Sequence, residues 1–143
     1  MRRTARQALE RDLARHRAHP TAPPPLGWVR ALRDALGMST RELAARLGVT
    51  SSYVSKLEAN EASGAITLAT LQRAAAALGC RLEYTLVPER PLDEMVLDQA
   101  RRKARSLLDP VSHTMALEDQ GVEMHDQIEE LARDLVDRRG LWS

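Results

Sequence analysis

The chain has 143 residues and a net charge of only +1, with 43% hydrophobic and 29% charged residues. This balance is typical of a globular protein, and no apolar run is long enough to span a membrane. The single cysteine excludes an internal disulfide, and the absence of a secretory signal favours a cytoplasmic location. Residues 1–60 hold eleven Arg or Lys against five Asp or Glu, whereas residues 61–143 hold ten against fifteen. This asymmetry indicates two different partners for the two ends.

A basic helix followed by a linker is predicted for the first 25 residues. Ala5, Leu9 and Leu13 recur every fourth residue and form a narrow apolar stripe. Arginines cover the rest of the helix: Arg2, Arg3, Arg6, Arg11, Arg15 and Arg17. The helix is therefore either a solvated helix docked by its stripe or a basic arm that contacts phosphate. Residues 20–25 are rich in proline, which precludes helix and predicts a domain boundary.

Two short helices joined by a glycine turn are predicted within residues 38–60. Ser39 and Glu42 form the S-x-x-E pattern of a capping box, which satisfies two backbone N–H groups at the start of a helix. Gly48 follows this helix, where we expect a turn with positive φ. Either Thr50 or Ser51 caps the next helix.

The second of these helices has a short apolar stripe and a polar outer face. A helix-turn-helix needs a small residue where its helices cross, a glycine at the turn and apolar residues at fixed offsets. The chain supplies them as Ala44, Gly48, Val49, Val54 and Leu57. A helix that reads DNA must also be polar on its outer face, and here that face carries Ser51, Ser52, Tyr53, Ser55 and Lys56. The stretch predicts a DNA-binding helix-turn-helix, with an ordinary helical hairpin as the alternative.

From about Trp28 to Leu78 the chain resembles the phage-repressor (Xre/Cro) helix-turn-helix family, which implies a domain of four to five helices. The resemblance implies a recognition surface formed by Thr50, Ser51, Ser52, Tyr53, Ser55 and Lys56. It also implies contacts to DNA backbone phosphates from Ser39, Thr40 and Arg41, at the N-terminus of the preceding helix. The family has Gln or a similar residue early in that helix, where this chain has Thr40-Arg41.

Residues 80–87 (CRLEYTLV) alternate between apolar and polar residues, which predicts one short β-strand. A lone strand leaves both edges unpaired. We therefore expect antiparallel pairing with the same strand of a second copy, and hence a homodimer. An extended connector is the alternative.

The remaining sequence predicts a helical extension. One helix opens at Pro91 and stops at Pro110, and a last helix covers residues 122–139. We expect an all-α protein with four parts: a basic helix and linker (1–25), a helix-turn-helix domain (26–79), a dimerisation strand (80–88) and a helical extension (89–143).

No catalytic or cofactor motif is present in the sequence. It lacks a P-loop, a G-x-G-x-x-G loop and an H-E-x-x-H pattern. Its late histidines, His113 and His125, do not have metal-ligand spacing with Cys80. We therefore expect a binding protein without metal or cofactor rather than an enzyme.

A longer resemblance rests on the helix-turn-helix together with LQRAAAALGCRLEYTLVP and QARRKARSLLDPVSHTMALEDQ. These stretches resemble the family called mobile mystery protein A, whose members are encoded beside a companion with a Fic domain. The resemblance implies a repressor or antitoxin-like role in a mobile two-gene module.

Thr114 and Glu118 are similar to the pattern [S/T]-x-x-x-E-[G/N] that restrains Fic enzymes, although Asp119 occupies its last place. In that pattern the glutamate pairs with an arginine near the nucleotide phosphates. An exposed helical pair is the alternative. The sequence thus supports two hypotheses: a regulator that binds double-stranded DNA, and an inhibitor that binds a Fic-domain enzyme through the acidic half.

Overall fold

A computed structural model describes residues 2–112 and 120–143, which form seven helices. The helices are α1 (Arg2–Ala18), α2 (Trp28–Ala35), α3 (Thr40–Leu47), α4 (Ser51–Ser63), α5 (Leu68–Ala77), α6 (Leu92–Ser112) and α7 (Gln120–Leu135). The prediction of a helical protein is confirmed for these residues. The chain divides into two compact units, Thr21–Thr85 and Met1–Pro20 with Leu86–Ser143. None of the described helices is long and apolar enough to cross a membrane.

The first unit contains α2 to α5 around one apolar core. Its buried side chains are Val29, Leu43, Ala44, Val54, Leu57, Ala74 and Leu78. All four helices contribute to this list, so each helix buries one apolar stripe against the others. A hydrogen bond of 3.1 Å from Arg46 Nη1 to the carbonyl of Ala77 also joins α3 to α5.

The second unit packs α6 against α7 through alanines. Ala100, Ala104 and Ala132 are completely buried, which lets the two helix backbones approach closely. An ion pair of 2.7 Å between Arg101 and Glu129 closes the edge of this contact.

Helix α1 contacts α6 in this unit through charged side chains. Arg6 Nε donates to Asp93 at 2.5 Å, and Glu10 accepts the backbone N–H of Leu92 at 3.1 Å. No residue of α1 is buried, and Leu9 of the predicted apolar stripe is 53% exposed. The stripe is too narrow to bury the helix, so polar contacts hold it.

Residues 80–88 form no strand, so the prediction of a short β-strand is not supported. A strand is assigned from ladder hydrogen bonds, and no backbone bond of Arg81–Val87 to another backbone group occurs in the described chain. Tyr84 and Leu86 are 71% and 87% exposed. The alternating pattern therefore produces a segment whose residues 81–87 have no backbone partner in the part of the chain that the structure describes.

The proposed partner-binding residues Thr114 and Glu118 lie outside the residues that the structure describes. Within the described ranges, no group of three His, Cys, Asp or Glu side chains could hold a metal ion.

Candidate nucleic-acid interface

The start of α3 is fixed by the predicted capping box. Ser39 Oγ accepts the backbone N–H of Glu42 at 3.1 Å, and the Glu42 carboxylate accepts the backbone N–H of Ser39 at 2.6 Å. The bond from the Ser39 backbone is the main reason that the pKa of Glu42 lies below its ordinary range. The negative carboxylate also suits the positive end of the helix dipole.

The turn between α3 and α4 is built on Gly48, whose φ of 68° confirms the predicted left-handed conformation. The next N–H, that of Val49, donates to Ala44 O at 3.0 Å, as in a Schellman motif. Thr50 then caps α4, because its Oγ1 accepts the backbone N–H of Tyr53 at 3.1 Å. Val49 is 36% exposed and lies at the rim of the core rather than inside it.

The inner face of α4 buries Val54 and Leu57, as predicted, and also Glu58, which was not predicted. Arg33 of α2 meets the Glu58 carboxylate with its Nη2 2.8 Å from Oε1, and its Nη1 donates to Met38 O at 2.9 Å. The hydrogen bond that the Arg33 guanidinium donates to the Glu58 carboxylate raises the pKa of Arg33 above its ordinary value. This buried pair ties the second helix of the motif to α2. The only feature of the sequence that indicates this ion pair is the position of Glu58 on the apolar stripe of its helix.

Glu61, one turn further along α4, caps α2 across the unit. Its carboxylate oxygens accept the backbone N–H groups of Trp28 at 2.7 Å and Val29 at 2.9 Å. Gly27 makes this possible, because a Cβ there would lie 2.8 Å from Cδ of Glu61. Gly27 also has a φ of 91°, which L side chains rarely adopt. Glu58 and Glu61 together fix the inner face of α4 to the start and middle of α2.

The outer face of α4 carries the polar residues that the sequence singled out. Ser52 and Lys56 are both exposed and lie one helical turn apart. Tyr53 lies beside them and is 40% exposed. Among the other proposed DNA contacts, Ser39, Arg41, Thr50 and Ser55 are exposed, whereas Thr40 and Ser51 are half-buried.

Two of the proposed residues are joined directly: the hydroxyls of Thr40 and Ser51 lie 3.2 Å apart. This contact brings the N-terminal ends of α3 and α4 together. Both ends present backbone N–H groups and partial positive charge, so the outer surface near them favours an anion.

A cleft of about 450 Å³ lies beside these residues. Thr40 and Ser55 line it together with Arg30 and Arg33 of α2. Arg30 is half exposed, and its only carboxylate contact in the described residues is a 3.9 Å approach to Asp34. Glu58 also lines the cleft and pairs with Arg33, so the donors that the cleft offers to a phosphate are the Arg30 guanidinium and the hydroxyls of Thr40 and Ser55. Sequence reasoning missed both arginines, because they belong to α2 rather than to the helix pair.

Residues 29–84 match the family model described as helix-turn-helix. The match covers less than half of the chain; it shows that this part is similar to a helix-turn-helix domain, which suggests a DNA-binding regulator. The search of curated proteins and the search of solved structures returned no significant match. The longer resemblance to mobile mystery protein A is not confirmed.

Proposed function

We propose that the chain is a sequence-specific DNA-binding transcriptional regulator whose α4 enters the major groove. The observation that carries this proposal is the division of α4 into two faces. Glu58 and Glu61 hold the inner face to α2, while Ser52 and Lys56 point outward from it. A rigidly held helix with an outward polar ridge is what major-groove recognition requires.

In this proposal the described residues take two roles. The recognition surface consists of Thr50, Ser51, Ser52, Tyr53, Ser55 and Lys56. Serine hydroxyls can bond to any base edge, and Lys56 can bond to guanine or to phosphate. Ser39, Thr40 and Arg41 contact backbone phosphates and so set the register of the helix.

The test begins with selection of a binding site from random DNA, followed by fluorescence anisotropy. We expect Ser52→Ala and Lys56→Ala each to weaken binding by about fivefold or more, the cost of one specific contact. Arg73→Ala is the matched control, because Arg73 is an exposed cation of the same unit on α5. Unchanged affinity of both test variants for the selected site would show that α4 is not the recognition helix.

Salt dependence tests the phosphate contacts separately. Each phosphate neutralised by a cation should contribute about 0.9 to the slope of log affinity against log salt. Arg41→Ala should lower this slope by about one for every DNA sequence. A flat salt response of the parent protein would contradict phosphate binding.

The proposed regulator acts as a homodimer, with recognition helices in successive major grooves about 34 Å apart. Support comes from residues 80–87, which alternate in polarity and expose Tyr84 and Leu86. Among the described residues, Arg81–Val87 make no backbone bond to another backbone group. Leu86→Glu should convert a dimer into a monomer in sedimentation at micromolar concentration. Glu83→Gln is the control, since it changes a charged residue of the same segment without adding a charge to its apolar side. A monomeric parent protein would contradict the dimer.

A second candidate function is an antitoxin-like inhibitor that binds an enzyme through the acidic half. One observation favours it: exposed acids recur along α7 at three- and four-residue intervals, namely Glu123, Asp126, Glu130 and Asp134. Only the resemblance given by the sequence points to a Fic-domain enzyme as that partner. Co-expression with the product of a neighbouring gene tests it, with co-purification expected and its loss in Glu130→Lys/Asp134→Lys. Retained inhibition by Glu118→Ala would exclude the specific mechanism at that residue.

A further inference from the structure

The unit that contains α1, α6 and α7 has a cleft of about 360 Å³ that none of the proposed functions uses. Four arginines line it: Arg2, Arg6, Arg138 and Arg139. Among the described residues, no aspartate or glutamate side chain lines it. The charged side chains that line the cleft are therefore all basic.

Only part of this positive charge is neutralised. Arg6 pairs with Asp93 at 2.5 Å and with Asp137 at 3.3 Å, so it is held in place. Arg138 and Arg139 are exposed, and in the described part of the chain neither pairs with a carboxylate. Two adjacent guanidinium groups repel each other, and a bound anion relieves that repulsion. Their planar donors match the oxygens of a phosphate.

Trp142 forms one wall of the same cleft and is 65% exposed. The residue before it, Leu141, is buried, and its carbonyl accepts a bond of 3.0 Å from Gln99. Lys103 donates to the carbonyl of Gly140, which fixes the turn further. These two bonds fix the backbone that leads into Trp142, and its exposed indole offers an aromatic face. Such a face stacks on a nucleobase regardless of its sequence.

We infer that this cleft binds a nucleoside phosphate, with its phosphates on Arg138 and Arg139 and its base against Trp142. The volume lies within the range of small-molecule sites. Val96 and Val136 supply the apolar lining that such sites combine with a few polar groups. None of the residues that line the cleft is a proposed DNA contact, and under the proposed function a nucleotide bound there is a candidate effector of the regulator.

Titration of the full chain with ATP, followed by calorimetry and tryptophan fluorescence, tests the inference. We expect ATP to bind to the parent protein. The double variant Arg138→Ala/Arg139→Ala should lower the affinity for ATP by about tenfold or more, because it removes charged hydrogen bonds. Arg11→Ala/Arg105→Ala is the matched control, because it removes the same charge from exposed sites of the same unit away from the cleft. This control should change the affinity by less than about twofold.

Inorganic pyrophosphate and the variant Trp142→Leu distinguish the contribution of the base to the binding affinity from that of the phosphates. We expect pyrophosphate to bind more weakly than ATP. We expect Trp142→Leu to weaken the binding of ATP but not the binding of pyrophosphate. Three results would overturn the inference: no binding of ATP at millimolar concentration, equal weakening in both double variants, or equal affinity for pyrophosphate and ATP. Circular dichroism of each variant confirms that the comparison is between folded proteins.

Discussion

Replacing Glu58 by glutamine should destabilise the helix-turn-helix domain more than any change on its outer surface. The substitution keeps the size of the side chain but removes its charge. Arg33 then retains its positive charge with the side chain only 11% exposed. It keeps its bond to Met38 O at 2.9 Å and its 3.2 Å contact with Asp34, but Asp34 is 62% exposed and compensates poorly.

The magnitude follows from the burial of the pair. Removal of one partner from a buried ion pair costs about 3–5 kcal/mol, because the other charge stays desolvated. Because Arg33 keeps these other contacts, we expect Glu58→Gln to lower the free energy of unfolding by about 3 kcal/mol, the lower end of that range. For a domain of this size each kcal/mol lowers the Tm by about 4–8 °C, so we expect a decrease of about 15 °C.

The assay follows thermal unfolding by tryptophan fluorescence in a Trp142→Phe background. Trp28 is then the only tryptophan, and it lies in the unit that contains the helix-turn-helix. Glu83→Gln is the control, because Glu83 is an ion-paired glutamate of the same unit with its side chain 74% exposed. Exposed pairs contribute less than about 1 kcal/mol, so the control should unfold close to the parent.

Two results would refute the reasoning. One is a Tm of Glu58→Gln within about 3 °C of the control, which would mean that the pair is solvated rather than buried. The other concerns Arg33→Met/Glu58→Leu, which removes both charges. We expect it to be more stable than Glu58→Gln, since no unpaired charge remains. If the double variant is less stable than the single variant, packing rather than charge governs this site.

Four further substitutions, one of them a control, test other parts of the fold. Gly27→Ala should cost about 2 kcal/mol or more in chemical denaturation, since it combines positive φ with a clash against Glu61. Gly37→Ala has a similar φ and open space, and should cost only about 1 kcal/mol. The lowered pKa of Glu42 stabilises the domain above the ordinary glutamate pKa, and this contribution is lost as pH falls through the folded-state value. The stability difference between the parent and Glu42→Gln should therefore be largest at neutral pH and shrink below about pH 4. Ala132→Leu should destabilise the α6–α7 contact by about 1–3 kcal/mol in the same assay, because it overpacks a fully buried site.

The sequence predicted the helix pair because its signals are local. The capping box and the turn depend on residues within five positions of each other. The roles of Ser39, Gly48 and Thr50 could therefore be predicted from the nearby sequence, without knowledge of the tertiary structure. The bonds that orient α4 span longer separations, 25 residues for Arg33–Glu58 and 32 for Val29–Glu61. Helical periodicity does not encode such contacts, which depend on how the helices are arranged.

The predicted strand failed for a related reason. Alternation of polarity describes side chains, but a strand also needs a backbone partner. Residues 81–87 have the pattern but no backbone partner among the described residues, so the sequence predicted a propensity for a strand and not the strand itself. The basic cleft was missed because its arginines come from α1 and from residues 138–139, which are distant in sequence.

Under the proposed function, substitutions on the two faces of α4 should change the stability of the domain and its DNA affinity independently. Glu58 and Glu61 act inward, and both stabilise α2, so changes there should lower the Tm. Ser52 and Lys56 make no hydrogen bond or ion pair to another side chain within the described residues, so their replacement should leave the Tm unchanged. A loss of DNA affinity in Ser52→Ala or Lys56→Ala with an unchanged Tm would therefore report a lost contact with DNA. If the same variants lose affinity and Tm together, the outer face of α4 has a structural role and the proposed division of the helix is wrong.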